Sequence, residues 1–247
     1  MDILILGAGY GTRLYPLIKD TPKPLLPVAD RPLIDHTLRK LEAVSDVRRV
    51  IVVTNDKFYG HFKHWAQNDY AFRWPVVVVN DHTTCPENRL GSVGDIDFVL
   101  QQEDIRDDLL IIGGDNIFDF NLKDYLEFSR DHCRHISIGL YDIGHVSEAS
   151  KFGVVAIDPQ HRVISFEEKP AQPKSSLIAM CCYFLPAETL DCVNQYLKSS
   201  DKSDKAGDFI RWLSMERTVY GFQFQGTWFD IGSIEAYHAA QKRFGER

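Results

Sequence analysis

The chain opens with a short apolar run, Ile3-Leu4-Ile5-Leu6, which predicts a buried first strand. Pro32 starts a predicted helix that carries Ile34, Leu38 and Leu41 on one face at i, i+4 and i+7. A second strand is expected over residues 47–53. A helix follows over 56–67, with Phe58, Phe62 and Trp65 spaced to pack on a sheet. Four valines at 76–79 predict a third strand. The loop 81–90 and Gly91-Ser92-Val93-Gly94 then lead into a helical segment at 96–100. A fourth strand at 109–112 ends in Gly113-Gly114-Asp115-Asn116. Strand and helix thus alternate three times before a strand, which implies a parallel sheet with helices on both faces.

The second half is richer in strands. Asn121 is placed to cap a helix carrying Leu122, Tyr125 and Leu126, and a strand follows at 136–141. Residues 152–157 and 163–167 read as a hairpin around Asp158-Pro159-Gln160-His161. A strand at 181–185, a helix at 186–197, a polar exposed stretch at 199–205, a short helix at 209–213 and a strand at 219–224 come next. Residues 228–230 end one more strand, and Ser233 caps a last helix with Ile234, Tyr237 and Phe244 on a common face. With no internal repeat and no long linker, the 247 residues read as one α/β domain with a β-rich second half.

Composition narrows the partners. Apolar residues make up 44% and charged residues 26%, the balance of a globular chain with a sizeable core. The formal net charge of −7 provides no basic field for nucleic acid. A polyanionic ligand would have to be held by a few local cations. Five cysteines without C-x-x-C spacing argue against a disulfide framework or a zinc site and fit a reducing compartment. The first apolar run is too short for a signal-peptide core, and none approaches membrane-spanning length, so a cytoplasmic protein without membrane contact is expected.

Between Leu6 and Leu33 lies the densest chemistry. Gly7, Gly9 and Gly11 allow a tight turn and close approach to a ligand, Arg13 and Lys23 supply cations, and Pro22, Pro24 and Pro27 stiffen the segment. A glycine turn joined to fixed positive charge suits a triphosphate. The spacing is not the dinucleotide fingerprint, because Thr12 stands where its third glycine belongs. It is not a P-loop either, because no Gly-Lys-Ser/Thr closes it.

G-x-G-T-R-L followed by T-P-K-P-L-L-P-V resembles the sugar-phosphate nucleotidyltransferases. The resemblance extends to Leu90-Gly91-Ser92-Val93-Gly94, Gly113-Gly114-Asp115-Asn116, Phe152-Gly153-Val154-Val155, Glu167-Glu168-Lys169-Pro170 and Trp228-Phe229-Asp230-Ile231-Gly232-Ser233, six blocks in order across nearly the whole chain. It implies a Rossmann-like, GT-A-like fold with a mostly parallel mixed sheet. Residues 1–120 would form a nucleotide-binding half and 121–247 a sugar-phosphate-binding half. The implied reaction joins a nucleoside triphosphate to a sugar 1-phosphate and releases pyrophosphate, with Mg²⁺ as cofactor.

The resemblance assigns nucleotide binding to Leu6, Gly7, Ala8, Gly9, Gly11, Thr12, Arg13, Lys23, Gly91 and Asp115. It assigns the sugar phosphate to Gly153, Glu168, Lys169 and Trp228, and the metal to Asp115 and Asp230. Arg13, Lys23, Asp115 and Lys169 would be catalytic. The chemistry agrees: a phosphate nucleophile, already largely ionised near neutral pH, needs no general base, so cations and positioning carry the work. Asp115 could instead cap a following helix, and Asp230 could be a turn residue. The chain departs from the commoner A-G-G opening at Gly7-Ala8-Gly9, and Cys181 stands where glycine is frequent near the sugar. Glucose 1-phosphate with dTTP or UTP is the leading substrate pair. A cytidylyl- or guanylyltransferase on another phosphorylated sugar or alcohol is the alternative within the fold, and an inactive nucleotide-sugar-binding regulator is the alternative outside it. A homo-oligomer is compatible with the resemblance.

Overall fold

The apolar runs become strands, and the computed structural model describes residues 1–11, 14–15, 19–199 and 204–245. In chain order the elements begin with β1 (Asp2–Leu6), β2 (Pro27–Val28), β3 (Arg31–Pro32), α1 (Leu33–Arg39), β4 (Arg49–Thr54), α2 (Asp56–Asn68) and β5 (Val76–Asn80). There follow α3 (Gly91–Gln102), β6 (Leu109–Gly113), β7 (Asn116–Phe118), α4 (Lys123–Asp131), β8 (Ile136–Asp142), β9 (Gly153–Ile157) and β10 (Val163–Glu168). The last are β11 (Leu177–Leu185), α5 (Asp191–Lys198), α6 (Ala206–Glu216), β12 (Val219–Phe224), β13 (Trp228–Asp230) and α7 (Ile234–Gly245). The alternation expected from the sequence, strand and helix from β1 through β6, is present, and the α/β class is borne out.

Two compact units share these elements. The first comprises Met1–Gly91, Ile112–Leu122 and Gly226–Arg247, and the second Ser92–Ile111 and Lys123–Gln225. In the first unit β1 runs parallel to β4, from Asp2 opposite Arg49 to Leu6 opposite Val53, and β4 runs parallel to β5. Ile3, Leu4, Ile5 and Val50 to Val53 are buried, as continuous apolar strands covered on both faces should be. The fully buried Asp2 carboxylate is paired, accepting from Arg48 Nε at 2.7 Å and Arg49 Nε at 3.2 Å. Asn55 caps α2 by accepting from the Phe58 amide at 3.1 Å, and Phe58, Phe62 and Trp65 are buried as their spacing predicted. α7 closes an apolar cluster with Leu14, Leu26, Leu33, Ile117 and Ile231, and Ser233 Oγ accepts from the Ala236 amide at its start.

In the second unit β8 has β12 parallel on one side and β11 antiparallel on the other. β9 pairs with β11 and forms the expected hairpin with β10. The Asp158 side chain shapes that hairpin's turn by accepting from the amides of Gln160 at 3.0 Å and Arg162 at 2.9 Å. Tyr125 of α4 is fully buried and its hydroxyl donates to the Ser137 carbonyl at 2.9 Å.

Several boundaries differ from the sequence reading. β11 begins at Leu177 rather than 181, because Leu177 and Ile178 find partners in Asp142 and Tyr141 of β8, far away in sequence. α3 begins at Gly91, so the Gly91–Gly94 segment is the helix's first turn and not a loop before it. α6 begins at Ala206 and runs to Glu216; Gly207 and Asp208 are weak helix formers and hide its first turn. A 3₁₀ turn at Ala187–Thr189 precedes α5. β2, β3 and β7 are too short to show a period. Of the stretch expected to be polar and exposed, residues 200–203 lie outside the described residues. No helix among the described residues is long and apolar enough to cross a membrane, and all five cysteines are free.

Asp35, in the first turn of α1, makes stability depend on pH. Burial lifts its pKa to about 6, against the opposing hydrogen bond from Trp65 Nε1 at 3.1 Å. Its folded pKa lies above the unfolded value, so ionisation weakens the fold, and stability is recovered as pH falls from above 6 towards 4. Asp35→Asn keeps an acceptor for Trp65 and removes the charge. It should raise unfolding stability by roughly 1–3 kcal/mol at pH 8 and by little at pH 4. Urea unfolding at both values checks this; equal gains at the two would refute it.

Candidate active site

The opening glycine loop leaves the carboxyl end of β1, where ligands bind in open α/β sheets. Leu6 is half-buried, Gly7 and Ala8 are buried, and Gly9 is exposed. The loop is anchored at two points. The Gly7 amide donates to the Val53 carbonyl at 2.9 Å, and Asn55 Nδ2 donates to the Ala8 carbonyl at 2.8 Å. Further along, Tyr10 Oη donates to Thr83 Oγ1 at 3.2 Å, and Thr83 Oγ1 donates to Asp81 Oδ1 at 2.8 Å. Burial raises the Tyr10 pKa, so the phenol stays a neutral donor. Asn55 and Thr83 carried no sequence signal toward this loop, because they sit at the ends of other strands. Thr12 and Arg13 lie outside the described residues.

Lys23 begins a 3₁₀ turn, Lys23–Leu25, closed by hydrogen bonds from the Leu25 amide to the Pro22 carbonyl and from the Leu26 amide to the Lys23 carbonyl. The prolines read as stiffeners bracket this turn. Lys23 Nζ donates to Asp115 Oδ2 at 2.9 Å across 92 residues of sequence. The side chains are 19% and 35% exposed, so the pair is worth only on the order of 1 kcal/mol to the fold. Its importance is placement. The Gly114 amide donates to the Leu6 carbonyl at 2.9 Å, and a Cβ on Gly114 would stand 2.7 Å from both that oxygen and Pro24 Cγ. Only glycine lets the end of β6 close on both the first strand and the Lys23 turn.

β7 follows Asp115, so the residue is not a helix cap. β7 pairs antiparallel with β13: Trp228 lies opposite Phe118, and Asp230 opposite Asn116. The Ile231 amide donates to the Asp115 carbonyl at 2.8 Å, extending the ladder one step. The backbones of Asp115 and Asp230 are thereby brought to neighbouring positions although they stand far apart in the sequence. Asn116, 3% exposed, ties the corner together: its Oδ1 accepts from Trp228 Nε1 at 2.7 Å and its carbonyl from Thr37 Oγ1 at 3.1 Å. Two carboxylates are hard oxygen donors suited to a divalent cation that also keeps water and phosphate ligands. Among the described residues no group of three or more His, Cys, Asp or Glu could hold a metal alone. A cation held by these two carboxylates would take its remaining ligands from water and phosphate.

The second unit gathers Gly153, Glu168 and Lys169. Glu168 ends β10 opposite Gly153 of β9. Lys169 has a positive φ of 46°, a conformation costly for lysine, and its amide donates to the Phe152 carbonyl at 3.0 Å. The left-handed residue ends the alternation of the strand, and Lys169 Nζ comes within 3.7 Å of Glu168 Oε1. Glu168 is 13% exposed on its side chain and Lys169 52%. Burial raises the Glu168 pKa, the Lys169 charge opposes that rise, and Asp208 of α6 adds to it. Trp228, grouped with the sugar side by resemblance, lies in the unit that carries Lys23 and Asp115. Gly91 starts α3 with a φ of 75°. His36 meets the Val28 carbonyl through Nε2 at 2.9 Å and lies edge-on to Phe244.

Known proteins resemble this chain in sequence and in fold. The bifunctional protein GlmU of Methanocaldococcus jannaschii is 28% identical over 238 residues, and that of Methanococcus aeolicus 30% over 233. Each match covers 94% of this chain and 51% of the relative, so the chain spans about half the length of the curated relatives it matches. Among solved structures, a Bacillus anthracis protein assigned as a glucose-1-phosphate thymidylyltransferase superposes with a TM-score of 0.85 at 23% identity, covering 100% of this chain and 96% of its own. A UDP-glucose pyrophosphorylase solved with UDP-glucose gives 0.83 at 19%, covering 99% and 98%. At those identities the likeness concerns the fold. The sequence pattern of the nucleotidyl transferase family matches residues 3–247, and the chain belongs to that family.

Proposed function

We propose that this protein transfers a nucleotidyl group from a nucleoside triphosphate, dTTP or UTP by preference, to a sugar 1-phosphate, glucose 1-phosphate by preference, in a cytoplasmic setting. The observation that carries this reading is the Lys23–Asp115 pair held at 2.9 Å beside the end of β1, with Asp230 on the adjoining ladder. A cation and two carboxylates at a strand end suit a triphosphate and its counter-ion, and family membership supports the same class of chemistry.

The difficulty of the reaction is electrostatic. An oxygen of the acceptor's phosphate, largely deprotonated near neutral pH, forms a bond to the α-phosphorus while the bond to the leaving pyrophosphate breaks. No side chain has to remove a proton. Lys23 is free to exchange its contact with Asp115 for a phosphate oxygen, and a cation about 4 Å away is worth roughly 4 kcal/mol at an effective dielectric near 20. Arg13, with its planar fork, would bridge phosphate oxygens of the same ligand. Asp115 and Asp230 would hold Mg²⁺, which when bound polarises phosphate oxygens. Lys169 would hold the acceptor's phosphate, and Glu168 would accept hydrogen bonds from sugar hydroxyls.

A pyrophosphate-release screen of five nucleoside triphosphates against a panel of sugar 1-phosphates should identify at least one productive pair. Complete silence from a folded protein would refute the reaction. Asp115→Asn keeps the shape and removes the charge; turnover should fall at least about 100-fold at ordinary Mg²⁺ concentrations, and near-normal turnover would remove Asp115 from the metal site. Lys169→Ala should raise the KM for the sugar phosphate about tenfold or more with the nucleotide KM within about twofold. The reverse pattern would reassign Lys169 to the nucleotide.

A further inference from the structure

α6 packs against β10, and its first turn meets the Glu168 side chain. A Cβ built on Gly207 would stand 1.8 Å from Glu168 Oε2, 2.4 Å from its Cδ and 3.1 Å from its Oε1. The three nearest atoms all belong to the end of the Glu168 side chain, which would have to move to make room. Alanine at 207 would force the Glu168 side chain into another rotamer. Glycine inside a helix costs about 0.5–1 kcal/mol relative to alanine, so helix propensity does not explain it here. The close approach does.

Charge around Glu168 adds to the constraint. Lys169 lies 3.7 Å from Oε1, Lys205 just before α6 and Lys169 both favour the ionised form, and burial and Asp208 oppose it. The carboxylate is thus wedged between a helix turn and a lysine whose own backbone is held left-handed. Such a group has little freedom, which is what a hydrogen-bonding partner for a sugar requires: a displacement of about 1 Å can cost on the order of 100-fold in rate.

We infer that Gly207 is a positioning residue: by presenting no side chain it lets α6 seat the Glu168 carboxylate beside Lys169, in the orientation that receives the hydroxyls of the sugar 1-phosphate. This rests on the sugar-phosphate role proposed above for Glu168 and Lys169. Gly207 itself touches no substrate and acts through Glu168.

A double-mutant cycle tests it with the substrate pair found in the release screen. Gly207→Ala should raise the KM for the sugar phosphate at least about tenfold while the nucleotide KM stays within about twofold. Glu168→Ala should do the same. The double variant should match Glu168→Ala within about twofold instead of multiplying the two effects, because the space needed by the new methyl group has been vacated. Thermal unfolding gives a second readout: Gly207→Ala should lower the Tm and the double variant should recover part of the loss. An unchanged sugar-phosphate KM in Gly207→Ala, or multiplicative effects in the double variant, would overturn the inference. If Gly207→Ala does not fold, the double variant should, and its failure would show that the glycine is needed for something other than Glu168. A wild-type protein inactive on every substrate pair would overturn the proposed reaction and this inference with it.

Discussion

The candidate triphosphate site depends on one close approach. Gly114 brings the end of β6 against the Leu6 carbonyl on one side and Pro24 on the other, at a separation that leaves no room for a side chain. From that point the geometry follows. Asp115 emerges beside the Lys23 turn, β7 departs to pair with β13, and the ladder sets Asp230 next to the same corner. Four segments from across the chain share one anchor. A backbone hydrogen bond supplies the anchor and a missing methyl group permits it.

An acidic chain that handles polyanions must concentrate positive charge where it matters. In the proposed reaction Lys23 would do so, and it stands paired with Asp115 with neither side chain deeply buried. The pair is therefore weak enough to exchange for a phosphate and strong enough to hold the ammonium group in place meanwhile. Around it the polar groups are well partnered. Asn55 holds the Ala8 carbonyl, Tyr10 reaches Thr83 and Asp81, and Asn116 joins Trp228 to the corner. These contacts anchor the loop at Ala8 and Tyr10.

The second unit solves its problem by strain instead. Lys169 adopts a left-handed backbone, at a cost of about 1–3 kcal/mol, and thereby stands beside the residue that precedes it. Glu168 in turn is hemmed in by Gly207. Under the proposed function these two side chains would serve as preorganised binding groups.

Much of this was legible in the sequence. The run Ile3 to Leu6 had to be a buried strand, Phe58, Phe62 and Trp65 had to face a core, and the alternation through residue 113 had to give a parallel α/β arrangement. Those outcomes follow from local periodicity and the cost of exposing apolar surface. The G-x-G-T-R and Gly-Gly-Asp segments likewise carried the resemblance to the nucleotidyl transferase family, which the family match over residues 3–247 bears out. Local pattern could not reveal which distant residues would meet. The early start of β11, the tie from Asn116 to Trp228, and the close approach of Gly207 to Glu168 are all pairings across sequence gaps of tens of residues or more. Their partners are chosen by packing and by the completion of backbone hydrogen bonds, which only the folded chain can supply. The sequence by itself determined the class of fold and the groups available for phosphate chemistry; the tertiary structure decided which of them stand together, because that is a matter of distance and not of composition.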